Sequence, residues 1–349
     1  MDSKRVNKFV ASLQRRQTRD AGRKPWTAPI PDDSNLRAVS PKARSDASAI
    51  FDPLLLAKLG RLDLIAQTVV DGFLSGKHRS THKGGCTDFA EFRPYSRGDS
   101  IRLIDWRHFA RSDRYYVKCF DDETNLQALL VVDASGSMGF GLSTVSKWQY
   151  AQMATACLAH LLLRQRDSVG AALVGSSVLN FVKPQPRASH LARVLTLLQT
   201  THPQGPSSLP DILNELTTRL KRRGMVILIS DCFSDVQSLK QSLERFRHHG
   251  HDVVVLQVLA PEELTFPFRR EALFQDLELN KRLQINPNSL RKAYLEEFQK
   301  FMSELSNGLT SIGVDLMTIT TSDNLGDVLA YHLHRRAAQN KSPLGKTRV

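Results

Sequence analysis

Apolar positions along the chain fall into two rhythms. From Asp52-Pro53 onward, Leu55, Leu59, Leu62, Ala66, Val69 and Phe73 recur at alternating steps of four and three, the period of one helix face. Asp52 suits an N-cap and Pro53 the first helical position, so the spacing predicts one amphipathic helix ending near Gly76. Beyond Gln127, short apolar runs alternate with amphipathic stretches, as in a parallel sheet with helices on both faces. The predicted strands are Ala128 to Val132, Val169 to Val174, Val178 to Val182, Met225 to Ile229, Val253 to Val258 and Val314 to Ile319. Only Gly175, Ser176 and Ser177 separate the second from the third, too few for a crossover, so these two form a hairpin and the sheet is mixed. Trp148, Ala151, Thr155, Leu158 and Leu162 share one helix face, as do Leu290, Tyr294, Phe298, Phe301, Leu305 and Leu309. Both stripes read as core.

The expected fold class is therefore α/β, Rossmann-like, over residues 126–335, with a small α+β subdomain over 51–125 that contains a β-leaning segment from Arg114 to Phe120. Residues 261–287 form an insertion longer than ordinary α/β connections, which suggests an interaction surface or a small extra lobe. No internal repeat is visible. Residues 1–50 mix basic residues with Ser, Asp and Pro and predict a largely disordered tail, and 336–349 read as a second basic tail.

Charge changes little in this assignment once it is located. The net charge of the 349 residues is +13, but residues 1–50 carry +6 and residues 335–349 carry +5, which leaves +2 for the body. Nucleic-acid binding is thus expected only weakly and through the tails, because the body lacks a basic, aromatic-laced face. Cys86, Cys119, Cys157 and Cys232 stand far apart without C-x-x-C spacing, which argues against a zinc ribbon or a disulfide framework. No run approaches the length of about 18 apolar residues needed for a membrane helix, and the expectation is a cytoplasmic protein with no membrane association.

The candidate chemistry lies where the strands end. The run ALLVVD leads into Asp133-Ala-Ser135-Gly-Ser137, which places a carboxylate and two hydroxyls at the carboxyl end of a central strand, where open α/β sheets bind ligands. Ser207 precedes a helix in GPSSLPDIL, with Ser208 beside it as an alternative, and Asp231 follows the buried run MVILIS. Two carboxylates with several hydroxyls, and no Cys or His, suit a hard cation such as Mg²⁺ or Mn²⁺, which takes about six oxygen ligands at about 2.1 Å. The plain alternative is an N-cap and turn without metal.

With its strand before and helix after, Asp133, Ser135 and Ser137 together with Ser207 and Asp231 resemble the metal-ion-dependent adhesion site of a von Willebrand factor type A domain; Ser207 stands where that family has Thr. Upstream, EFRPYSRGDSIRLIDWRHFARSDRYYVKCFDDET is similar to the signature of a bacterial family, domain of unknown function number 58, that precedes a type A domain. Glu91, Arg93, Gly98, Asp99, Arg102, Asp105, Trp106, Arg111 and Lys118 fall on its recurrent positions, with either a salt-bridged structural role or a partner-binding one. The resemblance covers roughly residues 52 to 335. It implies a protein-interaction module working with a MoxR-type AAA+ ATPase or its substrate, with Mg²⁺ accepting an acidic residue of the partner. No catalytic residues are expected. A metal-assisted hydrolase or phosphatase is the competing class, but no His or third carboxylate accompanies the loop as a general base. Arg97-Gly98-Asp99 reads as a turn, and His248, His249 and His251 read as a helix end. His78 and His82 lie in a Lys-rich loop without zinc-ligand spacing.

Overall fold

A computed structural model describes residues 51–77, 92–94, 106, 109, 111, 114–118, 126–220, 222–269, 272–275, 277–278, 282–285 and 287–341. The chain divides into two compact units, Gly76–Asn125 and one made of the chain on either side of it.

In the larger unit a six-stranded sheet runs, edge to edge, through residues 315–320, 252–259, 225–230, 127–133, 168–174 and 178–185. Its strands are β3 (Gln127–Asp133), β4 (Ser168–Val174), β5 (Val178–Gln185), β6 (Met225–Ser230), β7 (Asp252–Leu259) and β10 (Asp315–Thr320). All six coincide with apolar runs that the sequence marks as strands. Neighbours pair in parallel except β4 and β5, which form the expected antiparallel hairpin around Gly175 to Ser177. Pro184 is tolerated in β5 because that strand lies at the sheet edge. In β3 and β6, residues 128–133 and 225–230 are buried on both sides, which explains continuous apolar runs rather than alternation.

Helices cover both faces. Against one face lie α2 (Leu62–Lys77), α3 (Lys147–Arg164), α4 (Ala188–Thr200) and α9 (Leu325–Lys341); against the other lie α5 (Leu209–Arg219), α6 (Val236–His248) and α8 (Pro287–Ser311). Even residues of β3 (Leu130, Val132) join the first core and odd ones (Leu129, Val131) the second, the two-residue period of a strand. Helix α3 starts at a capping box in which Ser146 Oγ accepts from the Gln149 N–H at 3.2 Å and Gln149 Oε1 accepts from the Ser146 N–H at 3.0 Å. This is a mixed, mostly parallel α/β sheet of the Rossmann-like kind.

The single helix predicted after Asp52 is instead two. Helix α1 (Pro53–Ala57) is capped by Asp52 and ends before Gly60, whose φ of +67° is left-handed and closes the turn. Leu55 and Leu59 consequently lie exposed, while Leu62, Ala66 and Val69 keep the predicted stripe and join the core. That burial also places α1 and α2 with the sheet rather than in the small subdomain drawn over 51–125. At the other end α9 continues to Lys341, so part of the stretch 336–349 read as a tail is helical. Residues 1–50 lie outside the described residues.

The insertion contains α7 (Pro261–Thr265) and an antiparallel hairpin of β8 (Ala272–Gln275) and β9 (Arg282–Ile285). Phe266, with a left-handed φ of 45°, packs at a tilt against Tyr294 with ring centroids 4.7 Å apart, and the Tyr294 hydroxyl donates to the Glu263 carbonyl at 2.9 Å. This aromatic cluster anchors α7 to α8.

In the smaller unit β1 (Phe92–Pro94) pairs antiparallel with β2 (Tyr116–Lys118), inside the segment predicted to be β-leaning. Phe109 stacks on Tyr115 at 4.4 Å and meets Trp106 edge-on at 6.2 Å.

Candidate functional site

The predicted residues are drawn together by sheet register. Strands β3 and β6 are adjacent and parallel, with Val132 opposite Ile229, so Asp133 and Asp231 leave the same sheet end from neighbouring strands. Asp133, Ser135, Ser137 and Asp231 are all buried. Asp133 Oδ1 accepts the Ser135 N–H at 2.9 Å, which folds the loop back over the strand end, and its Oδ2 accepts the Ser230 hydroxyl at 2.7 Å. The Ser135 and Ser137 hydroxyls lie 2.9 Å apart.

The third loop is zipped to the first. Gly136 N–H donates to the Gly205 carbonyl at 2.8 Å and Gln204 N–H to the Ala134 carbonyl at 3.0 Å. Ser207 and Ser208 differ in their surroundings. Ser208 is the N-cap residue of α5 and its N–H donates to the Gly175 carbonyl at 3.0 Å, whereas Ser207 Oγ is buried with no hydrogen-bond partner. A buried hydroxyl without a partner is costly, and a bound cation would supply the missing one.

Burial, followed by the nearby Asp231 charge, pushes the Asp133 carboxyl up to about 6, against the opposing hydrogen bonds from Ser230 and Ser135. Cys232, next to Asp231, adopts a left-handed φ of 59° that turns the chain sharply; its N–H donates to Ser230 Oγ at 2.9 Å and the Phe233 N–H to Asp231 Oδ1 at 3.1 Å. Such strain in a non-glycine residue persists where surrounding contacts enforce it. Burial raises the thiols of Cys232 and Cys157, the latter to about 12, which leaves both as poor nucleophiles.

Several contributing residues are not evident from the motif. Lys147, the first residue of α3, is fully buried, and its Nζ donates to Asp231 Oδ2 and to Glu263 Oε1, both at 2.7 Å. It also lies 4.8 Å from the Phe233 ring centroid. Although burial favours loss of its proton, Asp231 and Glu263 outweigh that and hold its pKa above the ordinary value. Glu263 is positioned by the Ala260 N–H, which donates to Oε2 at 2.8 Å, and the adjacent Glu262 accepts the Ser143 N–H at 2.9 Å. The sequence signals for these were the N-terminal patterns S-K-W-Q and A-P-E-E, which mark two helix starts without revealing that they meet. Finally, the tip of the β8–β9 hairpin rests on the loop: a Cβ on Gly136 would lie 2.3 Å from the Leu277 carbonyl oxygen.

Of the signature positions, Arg93 lies on β1 opposite Val117, Lys118 on β2 opposite Phe92, and Trp106 and Arg111 are exposed. Glu91, Gly98, Asp99, Arg102 and Asp105 lie outside the described residues, as do His78 and His82. His248 and His249 end α6, where His249 Nδ1 lies 2.8 Å from the Arg245 carbonyl. Among the described residues no three His, Cys, Asp or Glu side chains converge as a ligand set, so a cation here depends on two carboxylates and hydroxyls. Among them, too, no helix is long and apolar enough to cross a membrane.

A family profile described as "Protein of unknown function DUF58" matches residues 91–303, more than half of the chain. The chain belongs to this family. An uncharacterized protein of Mycobacterium tuberculosis (strain ATCC 25618 / H37Rv), Rv1480, is 27% identical over 294 residues, covering 82% of this chain and 92% of its own. Among solved structures, the conserved hypothetical protein BatB from Bacteroides thetaiotaomicron is similar at a TM-score of 0.41, with 14% identity over 61% of this chain and 99% of that one. The SpRpn10 VWA domain is similar at 0.35, with 14% identity over 64% and 99%. For this DUF58 chain the fold assignment rests on strand order, the antiparallel edge hairpin and the two helical layers.

Proposed function

We propose that this DUF58 protein is a metal-dependent protein-interaction module. The observation that carries it is the convergence of Asp133, Ser135, Ser137 and Asp231 at one sheet end, together with the buried, unpartnered hydroxyl of Ser207 on a loop hydrogen-bonded to theirs. These residues suit Mg²⁺ or Mn²⁺, with oxygen donors only and with two carboxylates to balance a double charge. Asp133 and Asp231 would supply charge, and the Ser135, Ser137 and Ser207 hydroxyls would supply neutral oxygens. Bound there, the ion would offer a Lewis-acidic position to an Asp or Glu side chain of another protein. In this reading the domain binds and does not turn over substrate. The family resemblance adds the class of partner, a MoxR-type AAA+ ATPase or a protein on which it acts, met in the cytoplasm.

The test is thermal unfolding of the purified protein against Mg²⁺ and Mn²⁺, beside Asp133→Ala and Asp231→Ala. At about 100 times its dissociation constant the ion should stabilise the fold by about 2.7 kcal/mol, several degrees in Tm. A shift in the wild type that both variants lose supports the site. Equal shifts in all three would assign the ion elsewhere and overturn the proposal.

A further inference from the structure

Lys147 sits where local rules disfavour it. A cation at the first position of a helix opposes the positive end of the helix dipole, and a buried ammonium is costly unless fully paired. Here it is fully paired, and unequally in meaning: one partner, Asp231, belongs to the candidate metal site and the other, Glu263, belongs to the insertion. The ammonium touches Asp231 through Oδ2, while Oδ1 is held by the Phe233 N–H, so the carboxylate is already oriented and ion-paired before any ion arrives.

Resting on the metal-site reading above, we infer that Lys147 is a tethered counter-ion that competes with the divalent cation for Asp231 and so sets the site's cation affinity. A second cation brought to the same carboxylate is repelled by the ammonium at short range in a dry environment, where charges interact strongly. Glu263 moderates the competition by sharing the ammonium: the more of Lys147 it holds, the more of Asp231 is left for the ion. The Ala260 N–H and the Tyr294 hydroxyl fix Glu263 and its backbone, so this balance depends on the seating of α7. An acidic partner that adds its own negative charge would tip the balance back toward the ion, coupling ion and partner binding.

The inference gives opposite signs for the two ends of the ion pair. Binding of Mn²⁺ is read from the free-ion electron paramagnetic resonance signal, with Mg²⁺ as competitor. Lys147→Met should bind Mn²⁺ at least about tenfold tighter than wild type, and Glu263→Gln at least about threefold more weakly, because the ammonium is then left wholly to Asp231. The double variant should fall between wild type and Lys147→Met. It also guards against failure of the single Lys147 variant to fold, since it leaves one fewer unpaired buried carboxylate. A merely structural ion pair would shift both single variants in the same direction or neither. That result, with wild-type binding intact and lost in Asp133→Ala, overturns the inference and leaves the metal site standing. Absence of Mn²⁺ binding in wild type and every variant overturns both, whereas binding gained only on loss of Lys147 supports the inference.

Discussion

Replacing Asp133 with Asn separates the cost of a buried charge from its use. Asp133 is 1% exposed, and its carboxyl is raised from the ordinary 3.8 to about 6. Because the native state holds the proton more tightly than the unfolded state, the metal-free protein should be most stable below pH 3.8 with respect to this group. That stability is lost as pH rises toward about 6, and above it the full penalty stands. The penalty is about 3 kcal/mol at neutral pH. Asn removes the charge and keeps an acceptor for the Ser135 N–H, but its amide turns N–H toward Ser230 Oγ, which now donates to the carboxylate and already accepts from Cys232. Stranding that hydroxyl proton costs about 1 kcal/mol. Asp133→Asn should therefore stabilise the chelator-treated protein by about 2 kcal/mol at pH 7.5, or about 4–8 °C in Tm, and the gain should shrink toward zero at pH 4.5. Urea unfolding followed by fluorescence of the buried Trp148, with wild type and variant compared at each pH, removes the contribution of other carboxylates. Saturating Mg²⁺ should reverse the order, since only wild type keeps the ligand. A variant no more stable than wild type at pH 7.5 in chelator, or a difference independent of pH, refutes the argument.

Two further substitutions probe the loop and its supports. Gly136→Ala cannot coexist with the Leu277 carbonyl 2.3 Å away, so the hairpin tip should leave the loop; a loss of about 2 kcal/mol in urea unfolding and new proteolytic cleavage within 270–286 are expected, and unchanged stability would deny the contact. Ser146→Ala removes the N-cap of α3 and should cost about 1 kcal/mol, with no cost if Gln149 alone closes the helix end.

The strands were legible because burial on both faces writes itself as unbroken apolar runs, and three residues between β4 and β5 exclude any crossover. The site residues were legible for a related reason: a parallel sheet brings the carboxyl ends of its central strands to one edge, so Asp133 and Asp231 meet whatever separates them in sequence. Helix α1 was misread because Leu55 and Leu59 continue the helical spacing across Gly60, and periodicity alone does not register a left-handed glycine. Ser207 and Ser208 could not be distinguished by type; the structure adds that Ser207 Oγ is buried without a partner, while Ser208 stands at the N-cap of α5 without a side-chain capping bond.

Lys147 was beyond reach for a deeper reason. Its partners lie 84 and 116 residues away, and nothing in S-K-W-Q names them. Yet the sequence did carry a local contradiction, a lysine at the positive end of a well-capped helix, set in a stripe whose neighbours Trp148 and Ala151 are core. A residue that breaks local preference and is still buried must be compensated from elsewhere in the fold, and the compensation found here is a carboxylate of the site itself. The same logic applies to Cys232, whose left-handed backbone is unfavourable locally and places the Asp231 carboxylate beside the Phe233 N–H. In both cases the local misfit lies one contact from Asp231, so the cost of the arrangement is concentrated around one buried carboxylate.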